Sequence, residues 1–488
     1  MRPLLAGLDT EYGFSVEGRS AKQLVEDSKA LVRCYPDECF LGWDQRAESP
    51  RSDMRGFQLE SLQFDPDDAK WDEGAAPTTH ADREDRILAN GARFYNDHGH
   101  PEYATPETWS LDALANRDRE GDAAVLRAAQ YFQERIGKNV RVYKNNTDFH
   151  GASYGTHESY LAQRSTPIDA VISALMPLLV TRQVLCGAGK VGSESGPRCE
   201  YQMSQRADFF ADTVSAETLY RRPIFNTRDE PHADPQAWRR LHVIAGDSNM
   251  ISTSLKLKVG LIKIGVWLLE TEAAPSWRLS NPIEAVKSTS RSPFEEGKID
   301  LEGSWTTARH ILESYLEAAD RHLLAGSPEP VARDIRWVIE TGMRLLEARF
   351  SRQDEFARSV DWAAKHKILN MFAEAEGLSW RSTKIQSLDL AYHWLDEDQS
   401  LYYGLLDAGE VDNPPDKVEP EPTRAVARAL AVQRFKEDLV TGSWGTLTFK
   451  TPSGNRTVSL RPDIEYGETL WNCDNVEEYV EALQECQR

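Results

Sequence analysis

The 488-residue chain lacks an apolar run long enough to cross a membrane, since its longest, residues 255–269, is broken by Lys256, Lys258 and Lys263. Its six cysteines, at positions 34, 39, 186, 199, 473 and 486, include no CxxC pair, so neither a zinc ribbon nor a disulfide framework is suggested. They read as reduced thiols. Positive charge is short: 57 Lys and Arg stand against 78 Asp and Glu, a formal charge of −21. General nucleic-acid binding is thereby disfavoured, because phosphate contact needs a basic face. No internal repeat or low-complexity tract is visible. The string Gly187-Ala188-Gly189-Lys190-Val191-Gly192 lacks Walker spacing and follows a helical pattern, so it reads as a turn and not a phosphate loop. Met1 to Gly7 leads straight into a strand pattern and leaves no room for a signal peptide, so the expected location is cytoplasmic, with no membrane partner.

What is present is an ordinary globular composition, 40% apolar and 28% charged, enough for one large core and a small appendix. Ala6 to Val16 reads as a strand and Ala21 to Val32 as a helix, followed by an aperiodic polar insertion at about 36–83. Further strands are expected at Ala92 to Asp97, Val140 to Asn145, Ser153 to Gln163, Cys199 to Arg206 and Leu241 to Gly246. Helices are expected at Asp122 to Gly137 and Pro167 to Leu185, then through Ser252 to Glu272 and Trp305 to Glu376. That order fits an α+β antiparallel sheet with helices packed on one side. The proline-rich stretch Glu410 to Pro422 cannot continue a helix and divides a catalytic domain, 1–409, from a small C-terminal α/β domain, 423–488. In the latter, Thr423 to Glu437 and Val476 to Gln487 read as helices around a hairpin at Thr446 to Leu460.

Residues 89–105 are chemically dense. In an extended strand Arg93, Tyr95 and Asp97 share one face, and the turn His98-Gly99-His100-Pro101 returns Glu102 toward Asp97. A second acidic strand, Gly7 to Gly13, puts Asp9 and Glu11 on one face too. Clustered carboxylates beside an arginine suit Mg2+ with nucleotide phosphates; a solvated acidic sheet edge is the plainer alternative.

These strings, with Lys144 to Asp148, Ser153 to Glu158, Ser204 to Arg206, Asn226 to Asp234 and Arg239 to Ile244, resemble the Pup ligase and Pup deamidase/depupylase family in order and over nearly the whole chain. The resemblance implies a glutamine synthetase-like sheet and action on the C-terminal Gln or Glu of Pup, a small ubiquitin-like modifier, or of a related tag and its protein conjugates. It implies ATP, or ADP with phosphate, and Mg2+ as cofactors. Residue by residue, Asp97 is similar to the family's catalytic aspartate, as nucleophile or general base, and Asp9, Tyr95 and Glu102 to its metal ligands, with Glu11 a further acid of the site. Position 9 departs, since Glu is usual there and Asp is one methylene shorter. Arg93, Thr105 and Trp444 resemble nucleotide contacts, and His157 and Glu158 are candidates to face the phosphates. An acidic modifier would need a basic groove, for which Arg221, Arg222, Arg228, Arg239 and Arg240 are candidates, internal ion pairs with Asp229, Glu230 and Asp234 being the alternative. The segment Trp43 to Phe57 resembles the loop that marks depupylases, with Glu48, Asp53 and Arg55 as charges of a lid. Hydrolysis is therefore expected over ligation or a small-molecule glutamate-amine ligase activity.

Overall fold

The computed structural model describes residues 4–62, 84–147, 153–218, 221–323 and 329–487. Its centre is a seven-stranded antiparallel sheet, built in chain order from β1 (Ala6–Glu11), β3 (Cys39–Leu41), β4 (Arg86–Leu88), β5 (Arg93–Asp97), β6 (His100–Ala104), β8 (Thr156–Gln163) and the strand Trp238–Val243. In space the order runs from Trp238–Val243 through β8, β1, β6, β5 and β4 to β3. A separate pair, β2 (Gly13–Val16) with β7 (Val140–Tyr143), lies off the end of β1.

Side-chain alternation gives the sheet a dry face and a wet one. Leu8, Phe94, Tyr103, Tyr160 and Leu241 turn to the dry face and are buried. Helices α1 (Ala21–Arg33), α2 (Leu111–Ile136) and α3 (Ile168–Thr181), with the helix Ser252–Glu270, supply the covering core. Ser110 caps α2 by accepting from Ala113 N, and Gly137 ends it at φ +64°, a conformation that glycine adopts without a Cβ penalty. Ser252–Glu270 is buried almost all round. Lys258 and Lys263 are absorbed by donating to the carbonyls of Asp247 and Trp109, both at 2.6 Å. Among the described residues no helix is long and apolar enough to cross a membrane.

Several elements differ from the sequence expectation. The strand at Ala6 to Val16 breaks at Tyr12, whose ring is fully buried with its hydroxyl donating to Asp122, so that β2 leaves the main sheet. Helix α2 starts eleven residues before Asp122, where Ser110 supplies the cap. The expected strand at Cys199 to Arg206 is only the two-residue pairing of Tyr201–Gln202 with Lys190–Val191. The insertion contributes an edge strand, β3, and a short 3-10 turn, Gln45–Ala47, while its residues 63–83 lie outside the described set. After the irregular 410–422 come the helix Arg424–Phe435, a three-stranded sheet from Leu439–Gly442, Thr446–Thr451 and Gly454–Ser459, and the helix Val476–Cys486. Their core also takes in Trp43 and Ile87 from the larger part of the chain.

Candidate active site

Register alone assembles the wet face. Across β5, β6, β1 and β8 the pairs Tyr95↔Glu102, Glu11↔Glu102, Asp9↔Ala104 and Asp9↔His157 put Arg93, Tyr95, Asp97, Glu102, Asp9, Glu11 and His157 on one side of the sheet. The next strand adds Arg240 and His242, opposite Leu161 and Ser159. Gly7, Ala104 and Ser159 sit in the same face with almost no side chain, and a cleft opens above them. It is bordered by Thr105, Pro231, His232, Arg424 and Trp444. Thr105 Oγ1 accepts from Leu8 N at 3.0 Å, so this residue both lines the cleft and holds β1 in place.

The acids form two touching groups. Ligand atoms of Asp9, Glu102 and His157 lie within 4.8 Å of one another, as do those of Glu11, Asp97 and His98. Tyr95 donates to Asp9 at 3.2 Å, and His98 Nδ1 lies 2.7 Å from Asp97 Oδ2. Burial, then Asp97, pushes the Glu11 carboxyl up to about 7, although the Gly155 N–H donates to it. Burial and the neighbouring Asp9, Asp97 and Glu11 raise Glu102 well above the carboxylate range. Burial, then Arg206, pushes His157 down to about 3, which leaves a neutral imidazole. Without a counter-cation this cluster must hold protons. A divalent cation would replace them, and Glu102 Oε2, buried with no hydrogen-bond partner among the described residues, is an oxygen available to it. Carboxylate and phenol oxygens fit a hard cation of the Mg2+ type.

Arg93 anchors the other end of the face. Its guanidinium lies 4.0 Å from the Tyr95 ring centroid and 4.3 Å from that of Trp43, and it pairs with Asp85 at 2.6 Å and Glu48 at 3.5 Å. Burial alone would lower its pKa, but Asp85, Tyr95 and Glu48 raise it. Trp43 in turn meets Trp444 edge-on at 5.0 Å. Arg428 donates to the Trp444 carbonyl at 3.2 Å and joins Arg424 on buried Glu107. Burial pushes Glu107 up, yet Arg428 and Arg424 outweigh it and hold it at about 2. This buried pair fixes the small C-terminal unit, and with it Trp444, to the end of β6.

Not every candidate gathers here. Glu158 is on the dry face, sealed against Arg182 and Tyr160, so only His157 of that pair turns to the site. Arg239 likewise faces away from Arg240 and donates to Thr166 O. Arg221 is exposed and paired with Asp212, and Arg222 donates to Ser153 O. The five arginines thus do not line one groove, and Arg228 and Arg240 are the two nearest the acids, where their fields reach His157. In the insertion Glu48 reaches the site through Arg93. Asp53 is 3% exposed, bonded to Arg55 and to Thr227 Oγ1 at 2.6 Å, and so turns inward where a lid charge would face the cleft. The segment is docked: Met54 N donates to Thr227 O, Asp229 N to Ser52 O, Ser49 N to Glu230 and Asp44 N to Gly442 O, at 2.7 to 2.8 Å. Trp43, Asp85, Glu107, Arg206, His242 and Arg424 were not read as site residues from sequence. Arg206, His242 and Trp43 lie in strings that carried the family resemblance without being given a role, and Arg424 is four residues from Arg428 on one helix.

An antiparallel sheet whose wet face carries buried acids and a stacked arginine, beside a cleft bordered by the C-terminal unit, has the chemistry of a site for anionic ligands that chelate a cation. Residues 4–448 match the family model described as Pup-ligase protein. A depupylase of Acidothermus cellulolyticus is 35% identical over 508 residues, covering 98% of both chains. A Pup deamidase/depupylase of Mycobacterium tuberculosis is 35% identical over 514 residues, again 98% of both. A Pup–protein ligase of Actinosynnema mirum is 38% identical over 360 residues, 70% of this chain and 78% of the relative. Among solved structures, the ligase PafA in complex with Pup superposes with a TM-score of 0.78 at 27% identity, covering 99% of this chain and 91% of that one. PafA in complex with ADP gives 0.72 at 30%, covering 88% and 96%. The chain belongs to the Pup-ligase protein family.

Proposed function

We propose that this chain is an ATP- and Mg2+-dependent depupylase and Pup deamidase, hydrolysing the C-terminal Gln side-chain amide of Pup or a related small modifier and the isopeptide bond from that modifier to substrate lysines. The observation that carries hydrolysis over ligation is coverage: relatives named for depupylation align along 98% of both chains, the ligase relative along 70% of this one. Nucleotide binding is supported by the ADP-bound neighbour and by the cleft that Thr105, Arg240, Arg424 and Trp444 line. A cytoplasmic location accords with a substrate of this kind.

In this reading Asp9, Tyr95, Glu102 and Glu11 would hold Mg2+, which would supply charge stabilisation to phosphate and carbonyl oxygens. Asp97, half-buried beside His98, attacks the amide carbonyl carbon, expelling ammonia or the lysine amine and leaving an anhydride that water then opens, or takes a proton from the water that attacks that carbon directly. His98 fixes the orientation of that carboxylate. The sheet's other face, around Phe94, is buried. Division at 410–422 suits the chemistry, since the C-terminal unit brings Trp444 to the nucleotide end.

Asp97→Asn keeps size and strand packing but removes the anionic oxygen, so hydrolysis should drop by at least ~100-fold while ATP still binds. Near-normal release of ammonia from a Gln-ended modifier would remove Asp97 from the mechanism. Purified enzyme given pre-formed conjugate, or free Glu-ended modifier with ATP and an acceptor protein, separates hydrolase from ligase.

A further inference from the structure

The outer edge of the main sheet gathers a second chemistry, on the dry face and away from the acids. In register, Phe94 lies opposite Arg86 and Arg86 opposite Leu41, so Cys39, two residues from Leu41, points with them to the dry face. Cys34 arrives at the same corner from the end of α1. Tyr35, the next residue, meets the Phe94 ring edge-on at 5.8 Å, and both half-buried thiols pack against one core cluster. Only four residues, Tyr35 to Glu38, separate the pair. The buried Arg86 guanidinium is within electrostatic reach of both sulfurs, and it opposes the burial that pushes the Cys39 thiol up.

Hydrogen bonding sets Cys34 apart from the other cysteines. The thiols of Cys186, Cys199 and Cys473 donate to backbone carbonyls at 3.0, 3.5 and 3.4 Å, which keeps the proton on sulfur. Cys34 Sγ instead accepts from Arg135 NH1 at 3.9 Å, so a guanidinium supports the charge that this sulfur brings to an oxidant. The cap of α1 is made by the Cys34 backbone N–H, and a change at sulfur leaves it intact.

We propose that Cys34 and Cys39 are a peroxide-sensitive dithiol, a modification site at the root of the insertion that closes to a disulfide and ties β3 to the end of α1. The Cys34 thiolate attacks hydrogen peroxide. An S–O bond forms and the O–O bond breaks, so sulfur is oxidised by two electrons to a sulfenic acid and hydroxide leaves. The Cys39 sulfur then attacks Cys34; an S–S bond replaces the S–O bond, and the departing hydroxide takes the Cys39 proton and leaves as water. Two thiols and one peroxide thus give one disulfide and two waters. A dithiol reductant reverses the change.

The full chain is treated with hydrogen peroxide, its remaining thiols are alkylated, and it is digested with trypsin without reduction for mass spectrometry. Cleavage after Arg33 and Arg46 leaves both cysteines in one peptide, 34–46, so the disulfide is read as that peptide unalkylated and short of two hydrogens. It should form at least about tenfold faster than any oxidation of half-buried Cys199 or Cys486, and reduction should restore both alkylation sites. Cys39→Ser should stop at a sulfenic acid on Cys34, captured by dimedone, and Cys34→Ser should leave Cys39 alkylated. In the oxidised parent the amides that pair β3 with β4 should exchange at least about threefold more slowly. Alkylation of both cysteines after peroxide, separate sulfinic acids, or a disulfide between two chains would each overturn the pair, in a measurement on the parent that no misfolded variant can blur. A disulfide with unchanged exchange would overturn the tie to β3.

Discussion

Met54 decides whether the inserted segment is a solvated lid or a docked part of the catalytic body. Its side chain is 7% exposed and belongs to the main core, and its own amide donates to Thr227 O at 2.7 Å. Met→Ala at a buried site costs about 2–5 kcal/mol, and here the low end applies because the flanking loop can partly close the cavity: about 2–3 kcal/mol for Met54→Ala. A side chain on a solvated lid would cost within about 0.5 kcal/mol. The difference is wide enough to measure. Global unfolding of so large a chain is poorly described by two states, so the readout is hydrogen exchange at the amides of residue 54 and Asp229, which bond to Thr227 O and Ser52 O. Their local opening should become roughly 30- to 150-fold more frequent. The measurement uses nucleotide-free enzyme, since bound ligand would mask the loss by mass action. Exchange at both amides unchanged within a factor of two would show that the segment does not depend on its buried methionine, and the docking argument would fail.

Glu102→Gln removes one carboxylate oxygen from the buried cluster, so Mg-ATP should bind about 10- to 100-fold more weakly by calorimetry, with partial rescue at high Mg2+; parent-like affinity would take Glu102 out of the metal set. Gly155→Ala forces a Cβ to 2.1 Å from His157 Nε2, so turnover should fall about tenfold or more with a stability loss of about 1–3 kcal/mol, and an unchanged kcat would place that imidazole outside the working site. The raised carboxyls give a signed pH dependence. Glu11 titrates near 7 in the folded, metal-free chain against about 4.3 unfolded, so the folded state binds the extra proton. That stabilisation is complete below about 4.3 and is lost as pH rises through about 7. Mg2+ must displace the proton, so its affinity should rise from pH 6 to pH 8 with proton release, measured by calorimetry in two buffers of different ionisation enthalpy; flat affinity with no release would contradict the cluster.

The part of this site that was legible from sequence is the part set by period-two alternation. Arg93, Tyr95 and Asp97 share a face because strand geometry demands it, and β6 returns Glu102 opposite Tyr95. The same rule, applied one residue further, separates His157 from Glu158 and Arg240 from Arg239, pairs that adjacency in sequence had grouped. Composition could not reveal that separation, because a cluster of arginines over twenty residues looks alike whichever way each one points. The break at Tyr12 was hidden for a different reason. Nothing in Ala6 to Val16 interrupts the strand pattern, and it is the tertiary bond from Tyr12 to Asp122, 110 residues away, that turns the chain.

Long-range burial accounts for the remaining misses and for the behaviour expected of the insertion. A polar, aperiodic stretch reads as solvated, yet Trp43, Asp53 and Met54 are buried by partners far along the chain. On one side residues 42–44 bond to Gly442 of the small C-terminal unit, and on the other residues 52–54 bond to Thr227 and Asp229, next to Arg228. Between these attachments Glu48 accepts from Trp43 Nε1 and reaches Arg93. A shift at either attachment therefore moves groups that touch Arg93, and Arg93 packs on Tyr95, which bonds to Asp9. The insertion is mechanically in series with the acidic cluster. Substitutions at Glu48 should alter nucleotide affinity more than those at exposed Arg46, whose pairing with Asp44 lies at the surface and contributes little to the site.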